Sequence, residues 1–434
     1  MTHRAIAALA MIAIAVGPAA PRAAEAPAVT RHVLPGGLRL IVREDSTSPV
    51  VAASLQVAAG SRFETPTSSG LSNFVQRVMV RGSAARSAQQ IVEAAEDLGG
   101  SVDASADVEY AEIRGSALAV HAAGLLDLIA EIALTPTFSP AEVERERRLI
   151  TSQIQTRTET PFPLALDTLV AQLYGPHPYA LPALGGKGTI ERFTREDLLA
   201  HYRRVYVASR AVLAVSGGVD RDAVRRHAER LFTTLPAGPA DDAERLPAPD
   251  TATERTVLDR PVQQAQIVMG FLAPGIGEPD YAAGKVMSAI LGSGMSSRLF
   301  VTLRDRRGLA YSLGMLGPSR RGPGYFASYI GTAVDTIDAA EVGMRREIER
   351  FRSEGPSEAE VARAKAYVLG NLAMDRRTNA RHAWYLAFYE LVGAGWDYPG
   401  RYARAVEAVT IADVARVAQR HLGRSTTVIV RPRP

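Results

Sequence analysis

The feature that most constrains this chain is an order of strand and helix signals that runs twice. The two runs flank a stretch rich in proline, alanine and aspartate, Pro236–Thr253, which reads PAGPADDAERLPAPDTAT. With no apolar period, that stretch reads as a linker. Before it, Arg31–Leu34 and Leu38–Arg43 flank Pro35-Gly36-Gly37 as a hairpin, and Val50–Val57 is a further strand. In the segment Gly70–Gly82, Leu71, Phe74, Val75, Val78 and Met79 form one helical stripe. A helix over Gln89–Leu98, strands over Ser101–Ser105 and Glu109–Ala117, and helices over Leu118–Leu134, Pro140–Arg157 and Arg195–Val205 follow, before a strand at Ala211–Ser216. Beyond the linker come a strand at Gln263–Phe271, a helix at Tyr281–Leu291, a Gly/Ser loop at Gly292–Ser297 and a helix at Leu299–Arg306. Strands at Ala310–Leu316 and Gly324–Gly331, helices as far as Val392 and a strand at Thr427–Val430 complete the second run. Helices grouped between strand pairs predict an α+β fold: two homologous domains, each a mainly antiparallel sheet packed with helices.

The N-terminus reads as an export leader. Met1–Arg4 is short and basic, and Ala5–Val16 is an apolar run too short to span a hydrocarbon core of about 30 Å. Helix breakers Gly17, Pro18 and Pro21 follow, and then small residues at Ala23–Ala26, the pattern of a secretory signal peptide. The expected division is leader 1–26, first domain 27–235, linker 236–253 and second domain 254–434, with a periplasmic destination. No later segment is apolar enough to span a membrane stably.

Charge and cysteine content exclude other classes. The formal charge is +4, part of it from Arg4 and Arg22 in the leader, so the exported chain is nearly balanced. No dense basic block with interleaved aromatics occurs, which argues against nucleic-acid binding. There is no cysteine, hence no disulfide frame, thiolate metal site or thiol nucleophile. Gly292–Ser297 lacks the Gly-Lys-Ser/Thr of a phosphate loop. His177, alone in a turn, reads as structural.

Six blocks in order carry a resemblance. They are LPGGLRLIV (Leu34–Val42), GLSNFVQRVMVRGS (Gly70–Ser83), the Gly99-Gly100 strand, GPHPYALPALGGKGTIERFTREDL (Gly175–Leu198), AVLAVSGGVD (Ala211–Asp220) and LGSGMSSRLFVTLRDRRGLAYS (Leu291–Ser312). Together the chain resembles the pitrilysin-type (M16) peptidases, in the branch that includes mitochondrial processing peptidase and its bacterial relatives. That family holds zinc with an inverted His-x-x-Glu-His motif on the helix matching Gly70–Gly82, plus a distal Glu. Two histidines at i and i+4 share a helix face, and the intervening Glu is the general base toward zinc-bound water.

This chain departs at every such place. The His positions are Asn73 and Arg77, the Glu position is Gln76, and the distal Glu position is Gln153. Neutral amides are poor ligands for Zn²⁺, a guanidinium repels it, and Gln76 cannot accept a proton from water. The polar face of Asn73, Gln76 and Arg77 either faces solvent or lines a cavity where Arg77 pairs with Glu146 or another carboxylate. In the second half the resemblance implies a retained pair, Arg304 and Tyr311, seven residues apart, which in active relatives binds the substrate carbonyl and steadies the oxyanion. Arg306 and Arg307 are the adjacent alternatives.

The resemblance thus implies a zinc-less subunit of a heterodimeric periplasmic peptidase. No cofactor is expected in this chain. Zinc is expected in a homologous partner subunit with an intact His-x-x-Glu-His, and the substrate would be an unfolded peptide. Ser101, Val102, Asp103 and Ala104 form the candidate edge on which that peptide adds as a strand. Three rivals remain: a non-catalytic scaffold, a chaperone-like peptide-binding homodimer, and a metal-independent enzyme, for which no Ser/His/Asp grouping is visible.

Overall fold

The computed structural model describes residues 27–239, Pro249 and residues 253–433. The leader 1–26 and most of the linker 236–253 lie outside the described residues. The first half contains β1 (Val29–Val33), β2 (Arg39–Glu44), β3 (Val50–Val57), α1 (Leu71–Met79), α2 (Ala88–Asp97), β4 (Ser101–Ala106), β5 (Ala111–Leu118), α3 (Ala122–Leu134), α4 (Pro140–Glu159), α5 (Pro161–Tyr174), α6 (Lys187–Ile190), α7 (Arg195–Val205), β6 (Ala211–Gly217) and α8 (Arg221–Leu231). The second contains β7 (Arg255–Arg260), β8 (Ala265–Ala273), α9 (Tyr281–Gly292), β9 (Ser312–Leu316), β10 (Gly324–Thr332), α10 (Ile337–Glu354), α11 (Glu358–Asp375), α12 (Asn379–Leu391), α13 (Tyr398–Ala408), α14 (Ile411–His421) and β11 (Thr426–Pro432).

The two sheets repeat one plan. Their strand orders are β1-β2-β6-β3-β5-β4 and β7-β11-β8-β10-β9. In each, one parallel pair (β2–β6, β7–β11) is followed by antiparallel neighbours. Local caps repeat too. Helices α4 and α11 open on Ser139 and Ser357, whose hydroxyls accept from the amides of Glu142 and Glu360. Helices α7 and α14 each open on a Thr/Asp capping box, Thr194–Asp197 and Thr410–Asp413. The α+β architecture expected from the double run is the one observed.

Alternation along β3 explains how the first sheet is packed. Val51, Ala53, Leu55 and Val57 point into the core that holds α1 and α3, while Ser54 and Gln56 lie on the opposite face. That second face is covered by a helix from the other half: α12 packs on β3 and β6, seating Ala383, Ala387 and Leu391 on Ile41, Val212 and Ala214. The reciprocal contact is α5 of the first half on β8 and β11, with Ala165, Leu169 and Leu173 on Val268, Val428 and Val430. Gly270 of β8 makes room for Leu169, whose Cδ2 would stand 2.6 Å from a Cβ there.

The turns of the β4–β5 and β9–β10 hairpins also meet. Glu109 Oε1 accepts from the Tyr179 hydroxyl at 2.5 Å and from the Arg321 amide at 2.8 Å. Asp107 and Arg320 approach to 3.7 Å beside it. His177 is buried in the same joint, its Nδ1 accepting from the Tyr179 amide at 3.0 Å.

Several elements differ from the sequence reading. Leu118 ends β5, and a tight turn over residues 119–121 precedes α3, because the Ala119 amide is committed to Pro49 O at 2.7 Å. Strand β9 begins at Ser312 rather than Ala310. Helices α5, α6, α8, α13 and α14 and strand β7 were not expected. Among the described residues, no helix is long and apolar enough to cross a membrane.

Candidate functional site

Helix α1 is fixed from its first turn. Glu64 caps it, taking the Gly70 amide at 2.8 Å and the Ser72 amide at 2.7 Å. Burial raises the Glu64 carboxyl above the ordinary range, and the amide donors only partly offset this. The Ser72 hydroxyl meets His201 Nε2 at 3.0 Å. Burial, with Arg204 and Arg210 nearby, holds that imidazole down to about 3, so it stays neutral. Gly70, at φ +91°, lies against Gly185, and a Cβ there would come within 2.6 Å of Gly185 Cα. Gly70→Ala should therefore cost about 3 kcal/mol through strain and overpacking. The check is the denaturant midpoint, and an unchanged midpoint would refute the close-approach argument.

The polar face of α1 is covered, not turned to solvent. Asn73 and Gln76 are 8% and 1% exposed. Gln76 Nε2 donates to the Tyr206 hydroxyl at 2.5 Å, a group that burial pushes well above its ordinary range. Gln76 Oε1 and Asn73 Nδ2 have no hydrogen-bond partner among the described residues. Each such orphan costs about 1–3 kcal/mol, whereas fully burying each large apolar residue of the stripe returns about 1.5–3 kcal/mol. The five apolar residues outweigh the two amides.

Arg77 joins α1 to α4. Its Nε donates to Glu146 Oε2 at 2.8 Å and a terminal nitrogen donates to Gln153 Oε1 at 2.7 Å. Arg81, one turn on, donates from Nε to Glu146 Oε1 at 2.7 Å. Glu146 is fully buried, so two guanidiniums clasp one carboxylate. Two of the four residues at the expected metal positions, Arg77 and Gln153, thus form one network with Glu146, and the Arg77 guanidinium bridges α1 and α4. The donor set there is one carboxylate already held by two cations, plus neutral amides, which does not suit Zn²⁺. Among the described residues, no group of three or more His, Cys, Asp or Glu side chains is placed to hold a metal.

Arg304 and Tyr311 stand apart from that network. No hydrogen bond or ion pair among the described residues links either side chain to α1 or α4. Arg304 belongs to a wide helical turn, Phe300–Asp305, and its guanidinium lies 5.0 Å from the Phe300 ring centroid. Tyr311 is 61% exposed, and its amide donates to Gly331 O at 3.0 Å just before β9. Arg306 and Arg307 are also exposed. The Arg304 guanidinium on the wide turn and the Tyr311 ring just before β9 thus both belong to exposed residues. Strands β4 and β9 are the terminal strands of their sheets. Within β4, Ser101 and Asp103 are exposed, Val102 is half-buried and Ala104 is buried, and Asp103 is ion-paired with Arg114.

Sequence reasoning missed Arg81 and the Glu64 cap. Arg81 was findable, being four residues past Arg77 on the same face. Tyr206 and Glu64 carry no local signal that ties them to α1.

Two family models cover most of the chain. One described as insulinase (peptidase family M16) matches residues 39–187, and one described as peptidase M16 inactive domain matches residues 192–368. A protein named an uncharacterized zinc protease from Bacillus subtilis (strain 168) is 27% identical over 81% of this chain and 86% of the relative. The crystal structure of a peptidase M16 inactive domain from Pseudomonas fluorescens superposes with a TM-score of 0.87 at 23% identity, covering 94% of this chain and 98% of that one. A chain of complex III2 from Candida albicans has the same fold, with a TM-score of 0.80 at 22% identity over 93% and 96% of the two chains. The chain belongs to the pitrilysin-type M16 peptidase family.

Proposed function

We propose that this chain is the zinc-less subunit of a heterodimeric periplasmic peptidase, and that it supplies Arg304 and Tyr311 to a zinc site on a homologous partner. The observation that carries the proposal is the asymmetry between its halves. Arg77, clasped to buried Glu146, takes the place of a metal ligand, while Arg304 and Tyr311 stand exposed with no competing side-chain hydrogen bond among the described residues. The matching family models and the zinc-protease names of the relatives support the coarser part of this reading, an M16 peptidase-like protein.

In the assembled pair, zinc in the partner would activate water at the scissile carbonyl. This chain's residues would do the rest: the Arg304 fork and Tyr311 hydroxyl donate to the oxygen that becomes negative, and the free edge of β4 pairs with the extended peptide backbone. The metal arm of the proposal is tested on the purified chain alone. Its zinc content after dialysis should be far below one equivalent, and a tightly held equivalent would overturn it. The catalytic arm is tested by co-expression with a homologue carrying His-x-x-Glu-His, which should yield peptidase activity that neither chain shows alone. A scaffold of the same fold is the rival, and it predicts assembly without any dependence on Arg304 or Tyr311.

A further inference from the structure

The duplication points to a second place worth comparing. Helices α9 and α11 stand in the second half where α1 and α4 stand in the first: each of α1 and α9 follows the long central strand and packs beside the terminal strand. Counted from the paired caps Ser139 and Ser357, Gln153 matches Asn371 and Glu146 matches Ala364. The second half therefore lacks the carboxylate that, with Arg77 and Arg81, fills the first half's locus. A cavity of about 350 Å³ lies beside that locus, between α9, α11, α12 and α13, and Asn371, though not Ala364, is among its lining residues. That size is in the range of small-molecule pockets.

Its chemistry is specific. Tyr281, Tyr389 and Tyr402 form aromatic walls, with the Tyr281 and Tyr402 ring centroids 5.7 Å apart. Lys285 reaches into it over the Tyr281 ring, 5.2 Å from the centroid, and donates one hydrogen bond to Gly317 O. No carboxylate pairs with Lys285 among the described residues, so its other N–H groups are open to a ligand. Burial and nearby Arg320 lower its amine to about 8, which leaves most of it protonated at neutral pH. The mouth carries Tyr367, 45% exposed, and Asp375, whose carboxylate is already engaged by Arg381 and by the Tyr385 hydroxyl at 2.7 Å. An unpaired cation among tyrosine faces selects a flat ring carrying an anion.

We propose that this cavity binds an aromatic carboxylate, free or as the C-terminal residue of a peptide, with the carboxylate on Lys285 and the ring among Tyr281, Tyr389 and Tyr402. The site is independent of the peptidase reading, because binding needs no partner subunit. Calorimetry on the leader-free chain tests it with four probes: N-acetyl-phenylalanine, its amide, a short peptide ending in phenylalanine, and that peptide's C-terminal amide. The acids should bind saturably and at least about tenfold tighter than the amides. Binding of the peptide acid as tightly as the small acid assigns peptide ends as the source. Binding of the small acid alone assigns a free acid. Lys285→Met should remove the acid preference with the thermal midpoint retained, and Tyr367→Ala at the exposed mouth should weaken the peptide acid more than the small acid. Absence of saturable binding by both acids, or equal binding of acid and amide to the unaltered chain, would overturn the proposal whatever the variants do.

Discussion

Glu146→Gln should destabilise the folded chain by about 3 kcal/mol, near the lower end of the cost of breaking a buried charge cluster. The substitution keeps shape and an acceptor oxygen but removes the one carboxylate ion-paired with Arg77 and Arg81 among the described residues. The two guanidiniums are 21% and 32% exposed, so water relieves part of their repulsion, which is why the lower end applies. Arg81→Ala leaves the Arg77–Glu146 contact in place and should cost about 1–2 kcal/mol, closer to a single charged hydrogen bond. A double-mutant cycle on urea midpoints measures the coupling. If Glu146→Gln unfolds at the wild-type midpoint, the clasp contributes nothing and α1 and α4 are held by apolar packing alone.

The largest functional effect belongs to Arg304. In the assembled pair, Arg304→Ala should lower kcat by about 10²–10³, the range for removing one donor to a developing oxyanion. Tyr311→Phe keeps the ring and loses only the hydroxyl, so it should lower kcat toward the lower end of that range, about 10²-fold. The double variant should fall less than the product of the two, because both donors serve one charge. Gel filtration should show unchanged assembly, since both side chains lie at the surface and carry no core contact. Full activity in the double variant would remove catalysis from this chain and leave the scaffold reading.

What was legible in the sequence depended on whether its cause was local. The α1 stripe is a local i, i+3, i+4 pattern, and Leu71, Phe74, Val75, Val78 and Met79 are all buried. Helix α5 shows the opposite case. No helix is expected there from the sequence, yet Pro161 sits at the first helical position, where its missing amide costs nothing. Its apolar residues are spread around the helix because one side meets the second sheet and another meets its own half, so no single stripe appears. The Arg77–Glu146 contact joins residues 69 apart. The resemblance, which sets the α1 and α4 positions side by side, made that pair one of two readings open in the sequence, and the structure shows the pair. The α9–α11 cavity had no such guide: Lys285, Tyr389 and Tyr402 come from three helices.

The exchange of α5 and α12 between the sheets has a consequence for biogenesis. The outer face of the first sheet, with Ile41, Val212 and Ala214, stays bare until residues 379–391 have been made and delivered. The first half therefore cannot complete its fold while the second is still being synthesised or translocated. Such long-range closure makes folding slow and late. If the proposed export leader operates, that delay would be an asset: the chain stays unlocked, and threadable, until α12 has arrived.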